Sequence, residues 1–130
     1  TGSRFRDFTN RLFGRGNIMQ LYQRQCTNYT ADAAPLADAE SDRLSLEVPG
    51  WQIELQGGVK QLVKQFSFPD YVQTLSFALS VGELADAEDH HPEILMKWGK
   101  VRVTWWTHAV NGLHINDFIC AAKTDRLAEQ

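Results

Sequence analysis

Residues 51–66 of the chain read WQIELQGGVKQLVKQF. The first six residues alternate apolar with polar side chains, which is the period of a strand that buries one face. Gly57-Gly58 follows, and because both positions tolerate a positive φ, this pair predicts a two-residue turn. Residues 59–66 continue as the partner strand, with Leu62 and Phe66 on its buried face. The stretch therefore predicts a β-hairpin.

Helical patterns flank this hairpin on both sides. A short helix is predicted at about 38–47, ended by Pro49-Gly50. Pro69, at a first helical position, opens a second helix through about Ala87. Apolar side chains at helical spacing are expected to face the core. They are Leu44, Leu46 and Val48 in the first helix, and Tyr71, Leu75, Ala78, Leu79 and Leu84 in the second.

The second half of the chain repeats this order. Residues 94–98 and 101–107 predict another hairpin around Gly99-Lys100, and a final helix is predicted from about Ile115 to Ala128. An antiparallel four-stranded sheet with the three helices packed on one face is the simplest way to bury these patterns. We therefore expect an α+β fold of the order α-β-β-α-β-β-α.

Composition limits the class of protein. The chain has 130 residues, enough for one domain, with 43% hydrophobic and 22% charged residues. The net charge of −3 argues against a nucleic-acid surface, and no apolar run is long enough to span a membrane. Cys26 and Cys120 form no CxxC motif and suit a reducing compartment. We therefore expect a cytoplasmic protein that binds neither nucleic acid nor membranes.

The N-terminal residues differ from the rest. Residues 1–26 carry helical signals interrupted by glycines, and we expect them to form an extension. Its first residues, Thr1-Gly2-Ser3, are typical of a cloning remnant. Residues 27–130 are predicted to form the domain.

All four histidines lie within residues 90–114. A histidine exchanges protons near neutral pH, so this concentration indicates a working site. His90 and His91 precede a proline, His108 is predicted at the end of the last strand, and Asp117 falls in the first turn of the final helix. A loop, a strand end and a helix start can therefore converge on one cleft. His114 is expected at the helix start rather than in catalysis.

Simpler explanations exist for these residues. A single histidine at a strand end is usually a satisfied surface group, and Asp86, Glu88 and Asp89 are most simply a solvated helix end. Three imidazoles could also bind Zn²⁺ and leave a position open for water. The spacing lacks His-x3-His, which would place two imidazoles on one helix face, so we expect no metal.

The spacing of several residues resembles the signature of the pterin-4a-carbinolamine dehydratase family. The matching positions are Asp86, His90-His91-Pro92, Trp98, His108 and Asp117. Pro49-Gly50-Trp51 and the Lys64-Gln65-Phe66 stretch are also similar to that family, and residues 98–108, WGKVRVTWWTH, resemble its bacterial members. The resemblance covers roughly residues 27–128.

This resemblance implies an enzyme that works without a metal or organic cofactor. Its substrate would be 4a-hydroxytetrahydropterin (4a-hydroxytetrahydrobiopterin), a by-product of aromatic amino acid hydroxylases, and its products quinonoid dihydropterin and water. Three histidines are implied as catalytic residues: His90 and His108 in acid/base roles and His91 in substrate positioning. Four further residues are implied to bind or support the substrate, namely Asp86, Asp89, Thr107 and Asp117.

The same resemblance implies interactions between proteins. Members form homodimers or homotetramers, and some are dimerisation cofactors of a transcription factor through a helical surface. A second apolar side on the 69–87 helix would favour such binding, or an oligomer of this chain. A dehydratase-like domain in another pterin pathway is a further alternative.

Overall fold

Three α-helices and a four-stranded antiparallel sheet make up the part of the chain that the computed structural model describes, residues 19–29 and 32–129. They are α1 (Asp38–Ser45), β1 (Gln52–Gln56), β2 (Val59–Ser67), α2 (Tyr71–Glu88), β3 (Glu93–Lys97), β4 (Lys100–Trp105) and α3 (Ile115–Ala128). Short 3₁₀-helices span Leu21–Gln23 and His108–Val110. The predicted α+β order is confirmed. Most of the predicted extension, residues 1–18, lies outside the described residues, so that prediction stays untested.

The strands lie in the order β1-β2-β4-β3, and every neighbouring pair is antiparallel. The turn between β1 and β2 is the predicted one, with Gly57 at φ +57° and Gly58 at φ +81°. These left-handed values explain why glycine occupies both positions. The second hairpin turns at Trp98-Gly99, one residue earlier than predicted, and Gly99 also has a positive φ of +78°.

The core lies between the helices and one face of the sheet. Fully buried side chains of the central strands point to this face, and they are Leu62, Val101, Val103 and Trp105. Trp105 reaches α3, because its Nε1–H donates to Thr124 Oγ1 at 3.2 Å. At the other end of the sheet, Gly99 N–H donates to the buried Thr74 Oγ1 of α2 at 3.1 Å. These polar contacts fix both long helices on the sheet.

The predicted apolar stripe of α2 is wrong at three of its five positions, whereas the predicted Ala78 and Leu84 are partly buried against the core. The buried residues of this helix are Thr74, Phe77, Val81 and Ala85. The predicted Tyr71, Leu75 and Leu79 are instead 49%, 52% and 62% exposed. The helix carries two apolar stripes at helical spacing, and its contact with the sheet selects the one that contains Phe77 and Val81. The other stripe, with Val72, forms an exposed apolar face (Tyr71, Val72, Leu75 and Leu79).

Two helix ends also differ from prediction. α2 begins at Tyr71 rather than at Pro69, because the Asp70 side chain caps the helix by accepting a hydrogen bond from Gln73 N–H at 2.8 Å. α1 ends at Ser45, so Leu46 lies beyond the helix and is 83% exposed, whereas Leu44 and Val48 are buried as predicted. Among the described residues, the model contains no helix whose length and hydropathy would allow it to cross a bilayer.

Candidate active site

A single buried carboxylate, Asp117 in the first turn of α3, connects the segments that carry the histidines. Its Oδ1 lies 2.6 Å from His90 Nε2. Its Oδ2 accepts hydrogen bonds from Thr107 Oγ1 at 2.8 Å and from His114 N–H at 2.9 Å. The Asp117 side chain is fully buried, and three donors from three segments satisfy it. Asp117 therefore joins the side chains of His90 and Thr107, which come from two separate segments.

The end of α2 places His90. Asp89 adopts a left-handed conformation with φ +51°, which ends the helix, and His90 N–H donates back to Ala85 O at 3.1 Å. This cap turns the His90 side chain inward, so that only 10% of it is exposed. Its ring stacks on that of Trp105, with centroids 5.5 Å apart and planes inclined by 17°.

The bond to Asp117 also sets the tautomer of His90. A carboxylate only accepts hydrogen bonds, so the proton of the neutral imidazole lies on Nε2 and the lone pair lies on Nδ1. Aspartate in this position orients an imidazole and stabilises the imidazolium that forms when Nδ1 takes a proton. The nitrogen of neutral His90 that remains available is therefore Nδ1, on a ring whose orientation is fixed.

His114 has the structural role expected of it. It is the N-cap of α3, and its Nδ1 accepts a hydrogen bond from Asn116 N–H at 3.1 Å. Burial lowers the pKa of His114 below the usual value, an effect that Asp117 partly offsets and the nearby His90 reinforces. The neutral form also suits the cap, because a protonated Nδ1 could not accept the bond.

Acidification should weaken this cap. Because the folded-state pKa of His114 is lowered from 6.5, its contribution to stability is fully present above about pH 6.5 and is lost as the pH falls through the lowered value. His114→Ser keeps a capping oxygen but cannot titrate. Urea unfolding at pH 7.5 and pH 5 should therefore show a smaller fall in the free energy of unfolding for this variant than for the wild type. His114→Ala should lose about 1 kcal/mol at pH 7.5. Equal pH sensitivity of the wild type and the serine variant would contradict the assignment.

A closed loop presents His108. Thr107 and Gly112 pair through two backbone hydrogen bonds, Thr107 N–H to Gly112 O at 2.9 Å and Gly112 N–H to Thr107 O at 3.3 Å. Glycine is required at 112, since a Cβ there would lie 2.8 Å from Pro35 Cβ. His108 therefore begins a 3₁₀-helix rather than ending β4 as predicted. Its exposed ring lies 4.7 Å from the ring of Trp106, centroid to centroid.

His91 and Asp86 lie at the surface. The Nε2 atom of His91 is 3.6 Å from Asp86 Oδ1, and the two side chains are 60% and 91% exposed. At this exposure the pair contributes little to stability. Both side chains are therefore accessible from solvent, and their role in substrate positioning, which the family resemblance implies, stays a prediction.

A cavity of about 240 Å³ opens beside His90. It is lined by Cys26, Thr27, Asn28, Tyr29, Glu88, Asp89, His90 and Asn116. Among the described residues, His91 and His108 do not line this cavity, so it does not bring the three predicted imidazoles together. The part played by residues 26–29 could not be predicted from the sequence, because their contacts are with distant segments.

Glu88 lines the cavity beside His90 and is not part of a solvated helix end. Burial opposes its ionisation, but Cys26 N–H at 2.9 Å and Lys123 Nζ at 3.1 Å more than compensate, so the pKa of Glu88 lies below its usual value.

Within residues 19–29 and 32–129, no group of three or more His, Cys, Asp or Glu side chains is arranged to hold a metal ion.

Comparison with known families identifies the family of this chain. Residues 34–127 match the family model described as pterin 4 alpha carbinolamine dehydratase. The chain belongs to the pterin-4a-carbinolamine dehydratase family. The match includes β1 to β4, the whole of α2, α3 except for its last residue, and every histidine of the site.

The similarity to bacterial relatives extends over nearly the full length of those proteins. Proteins named "Putative pterin-4-alpha-carbinolamine dehydratase" are 48% identical in Chlorobium luteolum, over 85% of this chain and 97% of the relative. They are 46% identical in Saccharophagus degradans (86% and 99%) and 49% identical in Marinobacter nauticus (85% and 99%). These names support dehydratase activity for this member of the family.

Solved structures of the pterin-4a-carbinolamine dehydratase fold are also similar. A transcriptional coactivator/pterin dehydratase from Brucella melitensis is 29% identical, with a TM-score of 0.66 over 72% of this chain and 98% of that one. A pterin dehydratase-like protein identified as a RuBisCO assembly factor in the α-carboxysome is 27% identical, with a TM-score of 0.53 over 62% and 90%. The fold is thus found in proteins with different roles.

Proposed function

We propose that this protein dehydrates 4a-hydroxytetrahydropterin to quinonoid dihydropterin and water by histidine acid/base catalysis. The observation that carries the proposal is the His90–Asp117–Thr107 network, in which one buried carboxylate holds a stacked imidazole and the loop that presents a second one. Family membership supports the substrate class. The reaction would serve the recycling of a tetrahydropterin such as tetrahydrobiopterin in the cytoplasm.

The chemistry requires two proton transfers. The hydroxyl leaving C4a takes up a proton, and N5 gives one up, while the N5 lone pair forms the new C4a–N5 double bond. Because N5 pushes the hydroxyl out, an imidazolium is a strong enough acid. We assign the two transfers to His90, through its Nδ1, and to His108, without assigning which residue is acid and which is base.

The remaining residues would position the pterin. His91 and Asp86 are exposed next to each other, and Asp89 marks the helix end between them and His90. Their donors and acceptors suit the polar edge of the heterocycle. Thr107 and Asp117 are fully or almost fully buried and act through the groups they hold. In this assignment His91, Asp86 and Asp89 bind, whereas Asp117 and Thr107 maintain the geometry.

The direct test is turnover. The purified protein should accelerate the loss of chemically generated 4a-hydroxytetrahydropterin well above the spontaneous rate, with dihydropterin formed in equal amount, as followed by ultraviolet absorbance. No acceleration with a folded protein would refute the proposal. Stoichiometric zinc whose removal by a chelator abolishes turnover would refute the metal-independent mechanism and favour the zinc alternative.

A second role concerns the exposed apolar face of α2. Tyr71, Val72, Leu75 and Leu79 lie on the side of the helix away from the core. Exposed apolar patches rimmed by polar residues mark interaction surfaces. We propose that this face mediates a homodimer or homotetramer. The Brucella melitensis protein, described as a transcriptional coactivator as well as a pterin dehydratase, makes binding of another protein the alternative.

Leu75→Glu should disrupt the oligomer, because it places a charge in the centre of this face. Light scattering after size-exclusion chromatography should then report an oligomeric wild type and a monomeric variant. Leu46→Glu is the matched control, since Leu46 is even more exposed but lies at the end of α1. A wild-type monomer, or a Leu75→Glu variant of unchanged mass, would contradict the proposal.

A further inference from the structure

Two cysteines separated by 94 positions meet in the folded protein. The Sγ atoms of Cys26 and Cys120 are 3.4 Å apart, and both residues are free thiols. They are the only cysteines of the chain. Cys26 is half-buried and lines the cavity beside His90, whereas Cys120 lies on α3 and is fully buried. The sequence predicts no relation between them, because such pairing leaves no local motif.

Hydrogen bonds to α2 and to α3 hold Cys26 in place. Cys26 N–H donates to Glu88 Oε1 at 2.9 Å. The next residue, Thr27, makes two bonds to the buried Asn116: its N–H donates to Asn116 Oδ1 at 2.9 Å, and its carbonyl accepts from Asn116 Nδ2 at 2.8 Å. Asn116 lies one helical turn before Cys120. The proximity of the two sulfurs is therefore fixed by the backbone on both elements.

The remaining gap between the sulfurs is small. A disulfide bond is about 2.05 Å long, so the sulfurs must approach by about 1.4 Å. Cys26 follows the 3₁₀-helix Leu21–Gln23 and lies outside the helices and strands. A small movement of the Cys26 side chain can therefore bring the sulfurs together while α3 stays in place.

We propose that Cys26 and Cys120 form a reversible oxidation site that closes to an intramolecular disulfide on exposure to a hydroperoxide. The Cys26 sulfur attacks the peroxide, whose O–O bond breaks, giving a Cys26 sulfenic acid and water or an alcohol. The Cys120 sulfur then attacks the Cys26 sulfur, the S–O bond breaks, and water leaves with the Cys120 proton. Two thiols lose two electrons to the peroxide, and a thiol reductant restores them.

The two cysteines have different roles in this oxidation reaction. Cys26 reaches the cavity, so an oxidant meets it first. The Cys120 thiol is enclosed, and its hydrogen bond with Cys26, followed by burial, raises its pKa. It therefore stays protonated and unreactive towards external oxidants until a sulfenic acid forms beside it. Closure fastens residues 21–29 to α3 at the cavity next to His90.

The test is thiol counting on the full chain. Reduced protein is treated with hydrogen peroxide, unfolded, and alkylated with N-ethylmaleimide before mass spectrometry. We expect the number of alkylated cysteines to fall from two to zero, the chain to lose two hydrogens, and digestion to yield a Cys26–Cys120 linked peptide that dithiothreitol separates. Because the disulfide closes a long loop, the thermal midpoint should rise by about 5 °C or more.

Two variants separate the roles. Cys120→Ala should stop at a Cys26 sulfenic acid that dimedone traps, and Cys26→Ala should leave Cys120 fully alkylatable after peroxide treatment. Three results in the wild type would overturn the proposal: two alkylatable thiols after oxidation, a disulfide formed only between chains, or a Cys26 sulfinic acid without a link. These wild-type measurements stand even if a variant fails to fold, and none depends on dehydratase activity.

Discussion

Replacing Asp117 by alanine is expected to lower the free energy of unfolding by about 2–6 kcal/mol, because it removes the acceptor that satisfies several enclosed hydrogen-bond donors. The substitution leaves three donors without their acceptor, namely His90 Nε2–H, Thr107 Oγ1–H and His114 N–H. Thr107 is buried and the His90 side chain is only 10% exposed, and each unsatisfied buried donor costs about 1–3 kcal/mol. A domain of this size has only about 5–15 kcal/mol of stability in total, so the loss should be large in urea unfolding.

Asp117→Asn makes the test more specific. Asparagine fits the space but has one acceptor oxygen and a donating NH₂, whereas both Asp117 oxygens face donors. With its NH₂ towards Thr107 and His114 the amide meets two donors, and with its NH₂ towards His90 it is satisfied only if the His90 proton moves from Nε2 to Nδ1. Every bond also loses the strengthening that the charge gave it, so we expect a loss of about 2 kcal/mol in the free energy of unfolding. The matched control is Asp125→Asn on the same helix. Asp125 accepts from Trp51 and Lys64 but is 25% exposed, so its loss should be about 1 kcal/mol or less.

Equal destabilisation of the two asparagine variants would show that Asp117 is not the central acceptor of the site. The indole ring of Trp105 offers a second readout, because His90 stacks on it. Asp117→Asn should alter the tryptophan fluorescence of the folded protein, whereas His114→Ser should leave the His90–Trp105 contact intact.

Local turn chemistry explains why much of the fold could be predicted. Gly57-Gly58 specifies its hairpin through backbone freedom alone, and strict alternation before it sets the strand. The facing of α2 could not be predicted in this way, because the helix has two apolar stripes and periodicity does not select between them. The deciding contact is Thr74, whose Oγ1 donates to Asp70 O at 2.6 Å and accepts from Gly99 N–H. A threonine is not counted as apolar, so hydrophobic patterning overlooks it.

The site also has features that could be predicted from the sequence and features that could not. Histidines and carboxylates could be selected by residue type and by the family resemblance, and the structure joins His90, Thr107 and Asp117 as one network. The stacking of His90 on Trp105 depends on a left-handed aspartate at position 89, for which the sequence offers only a weak signal. Contacts of residues 26–29 with α3 span about ninety positions and leave no periodic trace. Such contacts become visible only when the fold is known.

The largest catalytic effect is expected for the double variant His90→Ala/His108→Ala, which should lose about 10²–10⁴-fold in kcat for 4a-hydroxytetrahydropterin dehydration. Both proposed proton carriers are then absent, while the surface pair His91 and Asp86 remains to bind the substrate. His90→Ala also removes the partner of Asp117 Oδ1, so part of its effect could come from a disturbed structure. The single variant His108→Ala avoids this difficulty, because the His108 ring is exposed.

His108→Ala should therefore lower kcat by about 10²-fold while its unfolding free energy stays within about 0.5 kcal/mol of the wild type. His91→Ala should mainly raise KM, since a positioning residue contributes to binding in the ground state and the transition state alike. Asp125→Asn, remote from the proposed proton carriers, is the activity control. Stopped-flow absorbance gives kcat and KM for each variant. A folded double variant that retains wild-type acceleration would refute histidine catalysis even if the protein proves to be a dehydratase.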